Sequence, residues 1–247
     1  MRPVMKMKFR AVIFDVYNTV LEVGPPPADS ARCWEVLWED KLADRVRLTL
    51  EEFAARCQAI VAREHAAARA TGVLNPEVFW PAVVREALPE LTHLDESKLD
   101  DFLYRHAQIQ RSIRLMSGAA EVLGALAKRN VPLGIASNSQ PYTLRELDAA
   151  LGSAKLSRNL FKPELCFWSF AFGFSKPNPH VFRFLAARLN ALGISPPETL
   201  VVADRLDNDV APAGLQGFLT WHFQATEGDG QKAGDWRQLG QRFSQGI

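Results

Sequence analysis

Near its start the chain alternates sharply between apolar and polar positions. Ala11-Val12-Ile13-Phe14 is a short apolar run, β-branched and aromatic, and it ends on a single acid, Asp15. A short run of this kind predicts a buried strand over 11–16. Gly24-Pro25-Pro26-Pro27 then breaks the pattern as a stiff linker. From 30 to 110 the spacing is helical throughout. Thr49-Leu50-Glu51-Glu52 is a capping box, with Thr followed three residues later by Glu. Behind it, Leu50, Phe53, Ala54, Cys57, Ile60 and Val61 recur on one helical face. Asn75-Pro76 predicts another helix with Pro in its first turn, and Asp95 to Gln110 a fourth. Four helices without a convincing strand predict a small bundle.

From Ser117 the pattern becomes alternating. A helix over Ala119–Arg129 leads to a strand over Val131–Ala136. Thr143-Leu144-Arg145-Glu146 reads as a second capping box, and its helix stops near Gly152. Leu165 to Phe170 is a further strand. Asn178-Pro179 is an N-cap with Pro at the first helical position, and Val181, Phe182, Leu185 and Leu189 share a face before Gly193 ends the helix. Thr199–Ala203 and Gly217–Phe223 are the last strands. Strands alternating with helices predict an α/β, Rossmann-like, doubly wound and mostly parallel sheet. Such sheets bind ligands at the carboxyl ends of their strands.

Length and composition refine this picture. A chain of 247 residues suits one core domain with a large insertion. The expected division is a core of 1–23 and 114–247 and a helical cap of 24–113. With 29 basic and 28 acidic residues, the net charge of +1 gives no reason to expect nucleic acid or an anionic membrane as partner. Cys33, Cys57 and Cys166 are scattered and odd in number, which excludes a disulfide framework and a structural zinc site. Reduced thiols, a basic N-terminus without a long apolar segment, and no run near the ~18 apolar residues of a membrane span make a cytoplasmic location the expectation. The sequence leaves the oligomeric state open.

Candidate chemistry gathers just after the strands. Asp15, Tyr17 and Thr19 follow the first, Ser137 and Asn138 the second, and Asp204 and Asp209 the strand at 199–203. Lys176 precedes the helix at Asn178. Three carboxylates at one rim repel one another unless a cation joins them. Oxygen-only ligands suit a hard ion such as Mg²⁺, and Lys176 and Ser137 beside it could hold an anionic group.

These motifs resemble those of the haloacid dehalogenase-like hydrolase superfamily. Asp15-x-Tyr17-x-Thr19 is similar to its first motif, Ser137 to its second, Lys176 in Ser175-Lys176-Pro177 to its third, and Val201-Val202-Ala203-Asp204 with Asp209 to its acidic fourth. The resemblance spans about residues 10 to 223 and implies an Asp15 nucleophile and a helical cap. It further implies that Lys176 screens charge, that Ser137 contacts the substrate with Thr19 and Asn138 nearby, and that Mg²⁺ is held by Asp15, Asp204, the carbonyl of Tyr17 and Asp209. The activity it implies is a Mg²⁺-dependent phosphatase acting on a small phosphorylated metabolite.

Tyr17 departs from that pattern, because the phosphatases typically carry an acid–base Asp there. Tyrosine, with an ordinary pKa near 10, is a poor base at neutral pH. The 2-haloacid dehalogenase branch, which works without metal, typically has Tyr at this position, and Ser137-Asn138-Ser139-Gln140-Pro141 resembles its second motif. Its halide-binding arginine has only Arg32 and Arg45 as candidates by location. Asp204, by contrast, is the phosphatase type. The expectation is therefore a phosphatase, with a dehalogenase as the alternative and a catalytically weakened binding or regulatory protein as a second. Trp34, Trp38 and Trp80 read as core rather than pocket. Asp207 reads as exposed, and none of the five histidines has ligand spacing.

Overall fold

The computed structural model describes residues 9–43, 46–225 and 232–246; Arg45 lies outside them. Six strands form one sheet in the order β5-β4-β1-β6-β7-β8, and every pairing is parallel. They are β1 (Ala11–Phe14), β4 (Leu133–Ser137), β5 (Phe161–Trp168), β6 (Thr199–Ala203), β7 (Leu219–Phe223) and β8 (Ala233–Gly234). β1, β4 and β6 are buried along their whole length, as strands covered on both faces must be. Helices α5 (Ala119–Lys128), α6 (Tyr142–Ser153), α7 (Ser169–Phe172), α8 (Pro179–Ala191), α9 (Ala211–Leu215) and α10 (Trp236–Gly246) surround the sheet. One apolar cluster joins Phe14, Leu123, Leu147 and Trp236; a second joins Ile13, Phe167, Phe182 and Leu185. The doubly wound α/β architecture is thus present.

The helical insert follows β2 (Leu21–Gly24) and precedes β3 (Ser112–Leu115), which pair antiparallel at its root. This ribbon shows in the sequence only as two short alternations, Leu21 and Val23 in one strand and Ile113 and Leu115 in the other. The insert contains α1 (Ser30–Leu42), α2 (Leu50–Ala70), α3 (Trp80–Ala87) and α4 (Glu96–Gln110). It has its own core of Trp34, Trp38, Phe53, Phe102 and Leu103, and Trp80 packs against it half-buried. The capping box at Thr49 forms with both of its bonds. Asp95 caps α4, and its side chain accepts from Lys98 N at 2.8 Å.

Two predicted helix starts do not form. α3 begins at Trp80 rather than at Asn75-Pro76. The backbone of 75–77 pairs instead with the segment before Lys176: Glu77 N donates to Gly173 O at 3.0 Å and Ser175 N to Asn75 O at 2.9 Å. The second capping box fails as well. α6 starts at Tyr142 behind Pro141, and the Thr143 and Glu146 side chains turn to Tyr17. Tertiary partners outcompete a local cap in both places. Among the described residues no helix is long and apolar enough to cross a membrane.

Candidate active site

β1 ends at the carboxyl edge of the sheet, and Asp15 is its next residue. Asp15 N donates to Val202 O of β6 at 2.9 Å, which holds the backbone of Asp15 against the neighbouring strand. The chain then turns tightly: Val20 N and Leu21 N both donate to Val16 O, at 2.9 and 2.8 Å. Asn18 takes a positive φ of 55° there, a conformation that Asn tolerates better than most residues.

Lys176 reaches this edge from the loop before α8. Its ammonium donates to Asp15 Oδ1 at 2.7 Å, to Ala136 O at 2.7 Å and to Asp209 Oδ1. All three of its donors are used. Burial pushes the Lys176 pKa down, but Asp15 and Asp209 together outweigh it, so the pKa is raised and the charge is kept. Asn138, one residue beyond β4, fixes the lysine from behind. Its amide donates to Lys176 O at 3.0 Å and accepts from Lys176 N at 2.8 Å.

Asp204 follows β6 directly, and Asp209 lies within a widened helical turn, Leu206–Val210. Oxygens of Asp15, Asp204 and Asp209 lie within 4.8 Å of one another. Among the described residues Lys176 is the cation bonded to this trio, and it reaches two of its members. Burial, and then repulsion from Asp15, raises the Asp204 pKa. Burial likewise raises that of Asp209 to about 6, Lys176 opposing it and Asp15 adding to it. Asp207 is exposed and pairs with Arg205.

Ser137 and Thr19 are fully buried, and neither hydroxyl has a partner. Thr19 is held through its carbonyl, which accepts from Trp236 Nε1 at 2.8 Å. The structure therefore brings Asp15, Lys176, Asp204 and Asp209 together, with Ser137 and Asn138 on the adjoining strand end. Tyr17 is placed differently. Its hydroxyl meets Thr143 at 2.7 Å, Glu146 at 2.5 Å and Arg111 at 2.7 Å. Burial, the largest influence, pushes this phenol above its ordinary range.

A model of the haloacid dehalogenase-like hydrolases matches residues 9–215. The chain belongs to that family. Among solved structures, a 2-haloacid dehalogenase from Pseudomonas syringae pv. Tomato DC3000 matches with a TM-score of 0.60 at 17% identity, covering 96% of this chain and 99% of the other. An L-2-haloacid dehalogenase matches with a TM-score of 0.53 at 21% identity and the same coverage. A family enzyme from Bacteroides thetaiotaomicron gives 0.54 at 15%, over 88% and 94% of the two chains. At these identities the likeness is one of fold. No curated protein matches the chain.

Other polar contacts bind the insert to the sheet domain, and the sequence patterns did not mark these pairings. Glu77 accepts from Ser169 Oγ at 2.6 Å and from Gln140 Nε2 at 3.0 Å. Gln140 also donates to Val78 O at 2.9 Å and accepts from Trp80 N at 2.9 Å. Arg145 of α6 pairs with Asp100 and Asp101 of α4. Arg111 and Glu146 pair at 2.9 Å. Arg32 pairs with Glu35 on its own helix.

Proposed function

We propose that this chain is a Mg²⁺-dependent phosphatase of small phosphorylated metabolites, with Asp15 as nucleophile. The observation that carries this reading is Asp204 beside Asp15 and Asp209. Three carboxylates share a site with one ammonium, and the raised pKa values of Asp204 and Asp209 report repulsion and burial left uncompensated. A divalent cation supplies the missing charge. Mg²⁺–oxygen distances of about 2.1 Å separate opposite ligands by about 4.2 Å, and the carboxylate oxygens here fall within 4.8 Å. The donor set, oxygen alone, also fits. Asp15, Asp204, Asp209 and the Tyr17 carbonyl would hold the ion, and when bound it would neutralise charge developing on the transferred group.

Asp15 attacks phosphorus, the ester P–O bond breaks and its oxygen leaves as an alcohol with a proton taken from water, and a second water then hydrolyses the aspartyl phosphate to inorganic phosphate and free Asp15, which divides one hard displacement into two. Lys176, locked by Asn138 and three acceptors, offsets the repulsion between the Asp15 carboxylate and an anionic substrate. Ser137 Oγ, buried and unpartnered, is a ready donor to a phosphoryl oxygen.

A metal-independent 2-haloacid dehalogenase is the second reading. Tyr17 favours it, as do two structural neighbours that bear that name. Asp204 weighs against it, since a third carboxylate is costly beside Asp15 without a cation. A panel of phosphate esters and a panel of 2-haloacids, each assayed with Mg²⁺ and with chelator, separates them. Metal-dependent phosphate release supports the phosphatase; halide release in chelator replaces it with the dehalogenase. Mg²⁺ binding without turnover of either panel would point to a binding or regulatory protein.

A further inference from the structure

The Tyr17 hydroxyl is saturated. Arg111 can only donate, and Glu146, its ion-pair partner, accepts. The phenolic proton therefore goes to Glu146, and the phenolic oxygen accepts from Arg111 and from the Thr143 hydroxyl. One donor and two lone pairs are all in use.

These partners come from separate parts of the chain. Tyr17 stands two residues past Asp15, in the turn that runs into β2. Thr143 and Glu146 lie on α6. Arg111 joins α4 to β3 and is thus the point where the insert returns to the sheet domain. Its guanidinium carbon lies 4.5 Å from the centre of the Tyr17 ring and 5.6 Å from that of Tyr142. Gln108 of α4 adds a bond to Glu146 at 2.9 Å. The network also extends past Tyr17: Gln140 N donates to Thr143 Oγ1 at 3.2 Å, and the Gln140 side chain grips the 77–80 loop of the insert. Tyr17 thus sits between the two places where these polar contacts fasten the insert. A part-buried network centred on a hydroxyl with every bond in use favours one arrangement of the elements that supply it.

We propose that Tyr17 is a positioning residue: with Arg111 and Glu146 it ties the nucleophile turn to the hinge of the helical insert, and it moves no proton in the reaction. The role holds for phosphate or halide release alike, so part of its test needs no substrate.

Tyr17→Phe keeps the ring under Arg111 and deletes only the hydroxyl. Arg111→Met removes the hinge partner, and Arg111→Lys is the milder variant, since one ammonium cannot serve Tyr17 and Glu146 as a planar fork does. Hydrogen exchange should rise about three- to tenfold, the factor for one net hydrogen bond, across 15–21 in the Arg111 variants and across 108–116 in Tyr17→Phe. Unchanged exchange at the far partner in either direction overturns the tether. With whichever panel compound is turned over, Tyr17→Phe should lower kcat about tenfold and leave the shape of the pH–rate profile intact. Loss of a limb of that profile would mean that the phenol carries a proton, and would overturn the proposal.

Discussion

Asp15 and Lys176 carry opposite charges in a site where neither can be lost cheaply. Asp15→Asn keeps the shape and removes the proposed nucleophile. It should fold and lose at least about 10³-fold in phosphate release, as removal of a covalent nucleophile does; an assay of the purified variant checks this. Lys176→Ala removes the ammonium bonded to Asp15 and Asp209. Breaking a buried pair from one side costs about 3–5 kcal/mol. Urea denaturation without metal should show a loss of that order, and saturating Mg²⁺ should narrow it. The gathering of Asp15, Lys176, Asp204 and Asp209 was legible because parallel strands deliver their following residues to one edge. The bonds of Arg111, Glu146 and Glu77 were not. They join residues far apart in sequence (Glu77 with Ser169, Tyr17 with Glu146), and no local pattern encodes such pairs.

At the scale of elements, the two capping-box sequences show what a local signal can and cannot decide. Thr49 and Glu52 have no competing partner, and the box forms. Thr143 and Glu146 have the same spacing but face Tyr17 and Arg111, and the box is lost to stronger bonds. Asn75-Pro76 failed as a helix start for the same reason, because its backbone pairs with residues 173–175. The strands at β1, β4, β6 and β7 were readable from their apolar runs; the β2–β3 ribbon alternates apolar and polar residues and leaves no such run. Thr49→Ala should cost about 1 kcal/mol of stability and leave turnover unchanged, since the cap lies at the start of α2 and touches none of the site residues. Thermal unfolding alongside the activity assay tests both halves.

For the whole molecule, charge at the sheet edge links stability to pH and metal. Burial raises the folded pKa of Asp209 to about 6, above the ordinary aspartate value of 3.8. Between those values the folded state binds more protons than the unfolded one, so stability falls as pH rises. His106 acts in the opposite sense: burial lowers its pKa to about 4 from 6.5, so stability rises with pH across that window. The comparison that isolates Asp209 is wild type against Asp209→Asn. Without metal, the stability of wild type relative to the variant should decline from about pH 4 to pH 6 and level off above. A flat difference in denaturation midpoints across that range would contradict the assignment. Saturating Mg²⁺ at pH 7 should restore what ionisation of Asp209 costs.

Asp15, Asp204 and Asp209 are proposed to form a divalent-cation site. Calorimetric titration of the purified chain with Mg²⁺ at pH 7 decides it. Saturable binding is expected at one site per chain, lost in Asp204→Asn while that variant remains folded. No binding by the wild-type chain at millimolar Mg²⁺, or equal binding by Asp204→Asn, would contradict it.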